Sequence, residues 1–350
     1  MGPDISLVLV TFRSSVVAPD AVGSFRAEVA RLGLHAEVVL VDHSEDAEEL
    51  ARLQQVKPDK LLVQPNRGYA AGVNAGLAHA SGATLLVGNP DIRFTAGGVG
   101  ALLDGLTAGW DVVGPQFVLG GLLFSPADVE TPAEELQRWF ASCSRVLWSR
   151  YFHRELQRWR RAWEARAPLA VPALSGALLA FRHEVAKKIG PWDEGYFLYF
   201  EETEWLRRVA ADGMRLALVP PARVEHLWGH AADPVSCGGR FLASRSRFLV
   251  SEFGWRGRFV DRLRSTRTPL RPRAFPKDLA SLPHKDLLWL LSPTSLGLPA
   301  AGVQGPASVF AQSLRTVLAQ RNARARYLVL AVEPATGRVE GVWFVESGRD

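Results

Sequence analysis

The chain has 350 residues, a formal net charge of +5, 47% apolar residues and two cysteines. That length fits two domains or one enlarged domain, and the apolar share is ordinary for a globular protein with a sizeable core. Cys143 and Cys237 lie far apart without metal-type spacing, which argues against a disulfide framework and fits a reducing compartment. No apolar run reaches membrane-spanning length. The start, Met1-Gly2-Pro3-Asp4, is acidic and its following apolar run is too short for a signal peptide. The charge is uneven: residues 138–166 and 240–273 are Arg-rich, and several of the eleven tryptophans sit among those arginines.

In chain order, residues 5–11 form an apolar strand ending at Thr11. Residues 19–32 have helical spacing (Val22, Phe25, Val29, Leu32), with Gly33 to end the helix. Residues 37–41 give a second strand ending in Asp42-His43-Ser44, residues 47–55 a helix, and residues 60–63 a third strand. Asn66-Arg67-Gly68 is turn chemistry, because Asn and Gly tolerate the positive φ of a tight bend. A helix of small residues follows (Ala70, Ala71, Val73, Asn74, Ala75), whose backbone can come close to a sheet or a ligand. Ser81-Gly82 breaks it, and residues 83–87 read as a buried parallel strand with Asn89-Pro90-Asp91 at its carboxyl end. The β-α-β-α-β-α-β alternation predicts a parallel sheet with right-handed crossovers, whose ligands bind beyond the carboxyl ends of the strands. Thr11, Asp42 with Ser44, and Asp91 are polar groups at those ends. An Asp after the second strand can accept hydrogen bonds from a base or ribose, and a carboxylate at Asp91 can hold a divalent cation against a diphosphate. Asn-Pro-Asp alone is also an ordinary solvated loop. The first strand is not followed by GxGxxG, so a dinucleotide site is not expected.

Beyond this half, residues 95–107 look helical, residues 110–115 give a short strand, and residues 116–131 an irregular loop. Residues 134–167 form one helical pattern dense in Arg and Trp, which reads equally as a membrane-surface element or as a helix packed through its Trp and Leu face. Residues 174–181 are a strand and 184–189 a short helix. An aromatic stretch from Trp192 to Phe200 then leads into a helix over 201–211 that opens on Glu201-Glu202. Acids there are either ordinary first-turn charges or carboxylates at a cleft rim whose burial raises their pKa. Residues 215–219 are a strand, Pro220-Pro221 turns the chain, and His226 is either structural or a ligand beside a metal carboxylate. Residues 240–259 are again basic and aromatic, and 264–276 read as an Arg/Pro-rich linker. In the last stretch residues 287–291 are apolar, 292–306 Gly/Pro/Ser-rich and 307–320 helical. Residues 327–332 and 339–345 form a hairpin around Pro334-Ala335-Thr336-Gly337.

Five pieces in this order resemble the inverting glycosyltransferases of family 2, with the GT-A fold, closest to the rhamnosyltransferase and galactofuranosyltransferase branch. They are LVLVTFRSS, VVLVDHSED, PNRGYAAGVNAGLAHASGATLLVGNPDI, LSGALLAFRHEVAKKIGPWDEGYFLYFEETEWLRRVAADG and VPPARVEHLWGHA. The resemblance covers about residues 5–232. It implies an α/β, Rossmann-like, mostly parallel sheet with flanking helices. Residues 1–262 would be the GT-A domain, with a nucleotide-sugar half (1–115) and an acceptor half (116–262). A linker (263–283) and a small C-terminal α+β unit (284–350) would follow. It also implies roles. Thr11, Arg13, Asp42 and Ser44 would line the nucleotide pocket, and Asn66, Gly68 and Asn74 would sit by the diphosphate and donor sugar. Asn89-Pro90-Asp91 matches the Asp-any-Asp motif with Asn89 in place of its first acid. Asp91 is then the main carboxylate for a Mg or Mn ion, with His226 completing the metal site. Ser175, Gly176 and Trp192 would face the acceptor. Glu201-Glu202 matches a Glu-Asp pair whose second member is the base. Glu202 is one methylene longer than that Asp, which leaves the base open between Glu202, Glu201 and neither. The reaction implied is a metal-assisted single displacement from a nucleoside-diphosphate sugar. The acceptor would be a saccharide or a polyprenyl-diphosphate-linked saccharide of the cell envelope, reached from the cytoplasm with peripheral attachment to an anionic membrane. Two alternatives remain from the residues alone. A nucleotidyltransferase would need a basic Gly-rich loop where Thr11-Phe12-Arg13-Ser14-Ser15 stands. A non-catalytic carbohydrate- or nucleic-acid-binding protein would leave Asp91 and Glu201-Glu202 unexplained.

Overall fold

The computed structural model describes residues 2–227, 234–263, 268–276, 278, 281–319 and 325–347, with only the backbone for 234–237. Trp228-Gly229-His230-Ala231 of the fifth resembling piece and the side chain of Cys237 lie outside the described residues. In chain order the elements begin β1 (Ile5–Thr11), α1 (Ala18–Arg31), β2 (Ala36–Asp42), α2 (Ala47–Gln55) and β3 (Lys60–Val63). Next come α3 (Tyr69–His79), β4 (Thr84–Gly88), β5 (Ile92–Phe94), α4 (Gly98–Thr107), β6 (Val112–Leu119) and β7 (Leu122–Phe124). The middle of the chain holds α5 (Pro132–Cys143), α6 (Arg145–Glu164), β8 (Leu169–Ala170), β9 (Leu178–Arg182), α7 (His183–Ile189), α8 (Glu201–Ala211), β10 (Leu216–His226) and α9 (Pro234–Asp261). It ends with β11 (Arg273–Ala274), β12 (Leu287–Ser292), β13 (Ala301–Gly305), α10 (Ala307–Ala319), β14 (Arg326–Val332) and β15 (Val339–Glu346). These make two compact units. One comprises residues 1–116 and 165–251, the other 117–164 and 252–350.

In the first unit β3, β2, β1 and β4 are parallel neighbours, and β9 then β6 extend the sheet antiparallel beyond β4. The result is the expected α/β sheet of mostly parallel strands with flanking helices. β1 is buried at every position, as a strand covered on both faces must be. The chain winds outward from β1 to β3, then crosses back to place β4 on the other side of β1. A crevice opens at such a reversal, outside the carboxyl ends of β1 and β4. Small residues let α3 lie against this sheet: a Cβ on Gly72 would meet Val10 at 2.6 Å, and one on Gly76 would collide with Val8. β10 pairs antiparallel with β8 through Ala217 and Leu218 and with β5 through Val224 to His226. Pro220-Pro221, expected as a turn, falls inside this strand between those two ladders, where the missing N–H groups cost neither of them a hydrogen bond.

In the second unit the strand order is β11-β15-β14-β12-β13-β7, antiparallel except for β11 against β15. The hairpin of β14 and β15 matches the expected one. Residues 116–131, expected to be irregular, contain a second hairpin: Val118 and Leu119 pair with Leu123 and Leu122 across Gly120-Gly121. Both glycines have positive φ, 55° and 88°, as a two-residue hairpin turn requires. The Arg/Trp stretch is two helices, because Ser144 is extended (φ −143°, ψ 132°) and ends α5. The apolar face of α6 is a packing face. Trp148, Phe152, Leu156 and Trp159 share one core with Leu288, Leu290, Leu330 and Val332. Trp148 Nε1 donates to Leu296 O at 2.9 Å, and Trp163 Nε1 to Phe124 O at 2.7 Å. The arginines of the same hairpin pair with acids: Arg138 with Asp128 and Glu135, Arg154 with Glu134, and Arg158 with Asp128 and Glu155.

At the amino ends of the parallel strands, Glu37 of β2 gathers Lys60 Nζ at 2.8 Å, the Ser6 hydroxyl, and both the backbone N–H and hydroxyl of Ser81. Burial alone would raise its pKa, but these donors hold it down to about 2. A depressed carboxylate stabilises the fold above its unfolded pKa and loses that contribution as pH falls. Glu37→Gln should therefore cost on the order of 1–2 kcal/mol at neutral pH, after allowance for solvent screening. The difference from the parent protein should be full above about pH 5 and shrink toward pH 2 in denaturant titrations.

Candidate active site

The parallel register sets Thr11 beside Asp42 at the carboxyl ends of β1 and β2. Thr11 Oγ1 donates to Asp42 Oδ1 at 3.0 Å, Ser44 Oγ donates to the same oxygen at 2.6 Å, and Arg13 N donates to Ser44 Oγ at 2.7 Å. Arg13 has a left-handed backbone, φ 51°. The other carboxylate oxygen of Asp42 is buried and has no partner among the described residues. An acceptor without a donor in a buried site points to a ligand group that supplies one.

Asn66 closes the following loop: its Oδ1 accepts from Gly68 N at 3.1 Å, and its own N–H donates to Glu45. Gly68 has φ 101°, and a Cβ there would run into the backbone of Phe197. Tyr69 N donates to Phe197 O at 2.8 Å. Asn74 sits in α3 with its amide engaged by backbone. It donates to Trp192 O at 2.9 Å and accepts from Trp192 N at 2.8 Å. Arg67 and Glu194 add an ion pair of 2.7 Å, so the loop before α3 and the loop before α8 are bound together. Trp192 is 1% exposed, stacked 5.6 Å from Trp205 and set edge-on to Tyr69. Asn74 thereby ties α3 to the loop that carries Trp192.

Asn89 N donates to Ala177 O at 3.0 Å, and Asp91 is buried immediately before β5. The β5–β10 ladder pairs Ile92 with His226, which brings His226 Nε2 to 3.4 Å from Asp91 Oδ1. Among the described residues no group of three His, Cys, Asp or Glu side chains gathers as a metal cage. One oxygen and one nitrogen ligand at this separation fit two adjacent positions of a divalent cation that keeps its others for phosphate oxygens and water.

α8 opens on the two acids. The preceding residues, Tyr199 and Phe200, are both left-handed at φ 71°, a conformation that costs about 1–3 kcal/mol each for a non-glycine residue and clusters at functional sites. Glu201 is buried, with Oε2 unpartnered among the described residues. Burial and then the Glu202 charge push its carboxyl well above the usual range. Glu202 is half-buried. Burial raises its pKa too, against backbone N–H groups of residues 176, 200, 202 and 203 that favour the anion. Gly176 makes room for it: a Cβ at that position would lie 2.8 Å from Glu202 Cγ. Ser175 Oγ accepts from Ala177 N at 3.3 Å and so shapes the same turn.

Tyr69, whose side chain no motif singled out, joins these parts. Its hydroxyl is buried without a partner among the described residues. Burial, then the charges of Glu201, Glu202 and Asp91, push the phenol well above its ordinary pKa. It is a buried hydroxyl near the side chains of Glu201, Glu202 and Asp91. The sequence signal available was its place directly after the Asn-Arg-Gly turn.

No family model matches the chain. It is 29% identical over 239 residues to the N-acetylglucosaminyl-diphospho-decaprenol L-rhamnosyltransferase of two Mycobacterium tuberculosis strains, CDC 1551 / Oshkosh and ATCC 25618 / H37Rv. Each match covers 62% of this chain and 76% of the relative. Among solved structures, GalNAc-T7 with UDP, GalNAc and Mn2+ superposes with a TM-score of 0.52 at 16% identity. That match covers 74% of this chain, which spans about half (54%) of that one, and the likeness is one of fold. With the reversed sheet and its polar strand ends, these findings show a GT-A fold and support a family 2 glycosyltransferase, rhamnosyltransferase-like in kind.

Proposed function

We propose that the enzyme transfers rhamnose, or a similar sugar, from a nucleoside-diphosphate donor to a lipid-linked saccharide, inverting the anomeric carbon in one displacement. The observation that carries this reading is the meeting of Asp91, His226, Glu201 and Glu202 around Tyr69 at the sheet reversal. The name of the mycobacterial relatives supports the choice of sugar and acceptor. Asp42, with its open oxygen, accepts a hydrogen bond from the base or ribose. Asp91 and His226 would hold a Mg or Mn ion, which supplies Lewis-acid neutralisation of the leaving diphosphate. Glu202, seated over Gly176, takes the proton of the acceptor hydroxyl as that oxygen attacks the anomeric carbon and the bond to the diphosphate breaks. Glu201 stays protonated beside it and leaves Glu202 as the carboxylate that ionises. Tyr69 donates a hydrogen bond within the same pocket.

The deciding experiment is nucleoside diphosphate release by the purified protein from a panel of UDP-, dTDP- and GDP-sugars, with and without Mn. Metal-dependent release from one donor supports the reading and names the sugar; no release and no thermal shift with any nucleotide would sink it. A positioned base contributes about 10²–10⁴-fold, so Glu202→Gln should lose turnover on that scale and still bind donor. Because burial raises its pKa, the acid limb of the kcat–pH profile should lie above the ordinary carboxylate range. Activity should rise with pH through that limb, and Glu202→Gln should erase it. Gly176→Ala should push Glu202 aside and lower kcat by about 100-fold with donor affinity kept. Asp91→Asn should remove the thermal stabilisation that Mn plus nucleoside diphosphate gives the parent protein; an unchanged shift would take Asp91 out of the metal site.

A further inference from the structure

The sequence has two stretches where arginine and tryptophan mix, and the structure treats them differently. Trp148 and Trp159 of α6 are buried in the core of the second unit, and several of the helix's arginines are paired. The second stretch ends in the last turns of α9, after a break at Gly254 (φ 55°, ψ −127°). From there to Arg262 the inward positions are Gly257 and Val260. Trp255 is 74% exposed and Phe259 57% exposed. Their i, i+4 spacing puts both rings on one side of the helix. Arg256, Arg258 and Arg262 are exposed around them, Arg256 resting over the Trp255 ring at 5.5 Å, and the acid among positions 254 to 262, Asp261, is half-buried. Among the described residues no helix is long and apolar enough to cross a membrane.

We propose that the segment from Trp255 to Arg262 is a membrane-surface anchor, seating its two rings among the headgroups of an anionic bilayer while its three arginines face the lipid phosphates. Large rings left in water on a charge-matched helix are the pattern of an interfacial element: aromatic bodies favour the headgroup layer, and each cation near an anionic surface adds to the attraction. The anchor rests on the transferase reading for its purpose, since a lipid-linked acceptor presents its reactive hydroxyl only at such a surface. Its physical basis is independent of that reading.

The test is co-sedimentation of the full chain, without donor or acceptor, with phosphatidylglycerol/phosphatidylcholine vesicles and with phosphatidylcholine vesicles at low salt. The parent protein should bind the anionic vesicles only. The triple variant R256Q/R258Q/R262Q should bind them roughly 100-fold less well, and W255S/F259S should also release. Both variants change exposed side chains, and circular dichroism verifies their fold. Both should keep the parent rate of donor hydrolysis, or of transfer to a water-soluble acceptor if one is found, while W255S/F259S loses transfer to acceptor held in vesicles. Failure of the parent to bind anionic vesicles, or equal binding by parent and variants, would overturn the anchor and leave the transferase reading untouched. So would binding to single-stranded DNA that both variants lose while vesicles go unbound.

Discussion

The site depends on a strained start to one helix. Tyr199 and Phe200 both hold left-handed backbone immediately before Glu201, and a non-glycine residue does not stay there unless its surroundings fix it. Several independent ties do so. Tyr69 N and Ser244 Oγ donate to the carbonyls of Phe197 and Leu198, Asn74 takes both backbone groups of Trp192, and Arg247 holds Asp193 at 2.8 Å. The loop before α8 is thereby pinned to α3 on one side and to α9 on the other. The two acids enter the helix at a fixed angle, with Glu202 aimed past the bare Cα of Gly176.

The same packing governs charge. Four carboxylates, from Asp42, Asp91, Glu201 and Glu202, sit buried or half-buried in the first unit of a chain that is basic overall. Each answers its environment in its own way. Asp42 is met by two hydroxyls, Asp91 by an imidazole, and Glu202 by backbone N–H groups. Glu201 has an oxygen without a donor among the described residues, and burial with the Glu202 charge pushes its carboxyl well above the usual range. Two adjacent acids with different environments are thereby pushed apart in their proton affinities.

Much of this was legible in the sequence because it rests on local signals. Period and breakers located β1, β2, β3 and β4 to within a residue, and the alternation predicted that they run parallel but not their order. Asp42, Asp91 and Glu201-Glu202 were marked by their places at element ends. What stayed hidden depends on partners far away in the chain. Trp192 and Asn74 carry no local mark of their mutual clamp, because they lie 118 positions apart. The periodicity of residues 134–167 identified an apolar face but not the strands it packs against, more than 120 residues later. Pro220-Pro221 obeyed a rule for turns that strand pairing overrode, because the ladders on either side happen not to use those two positions.

The interrupted make-up of the second unit bears on how the chain is made. Residues 117–164 leave the ribosome with Trp148, Phe152 and Trp159 facing outward, and the strands that cover them begin only at Leu287. At common rates of synthesis that gap lasts on the order of ten seconds, with an apolar helix face open to solvent and to other nascent chains. The first unit is also split around this hairpin, so neither unit can close during translation until the chain has passed its middle.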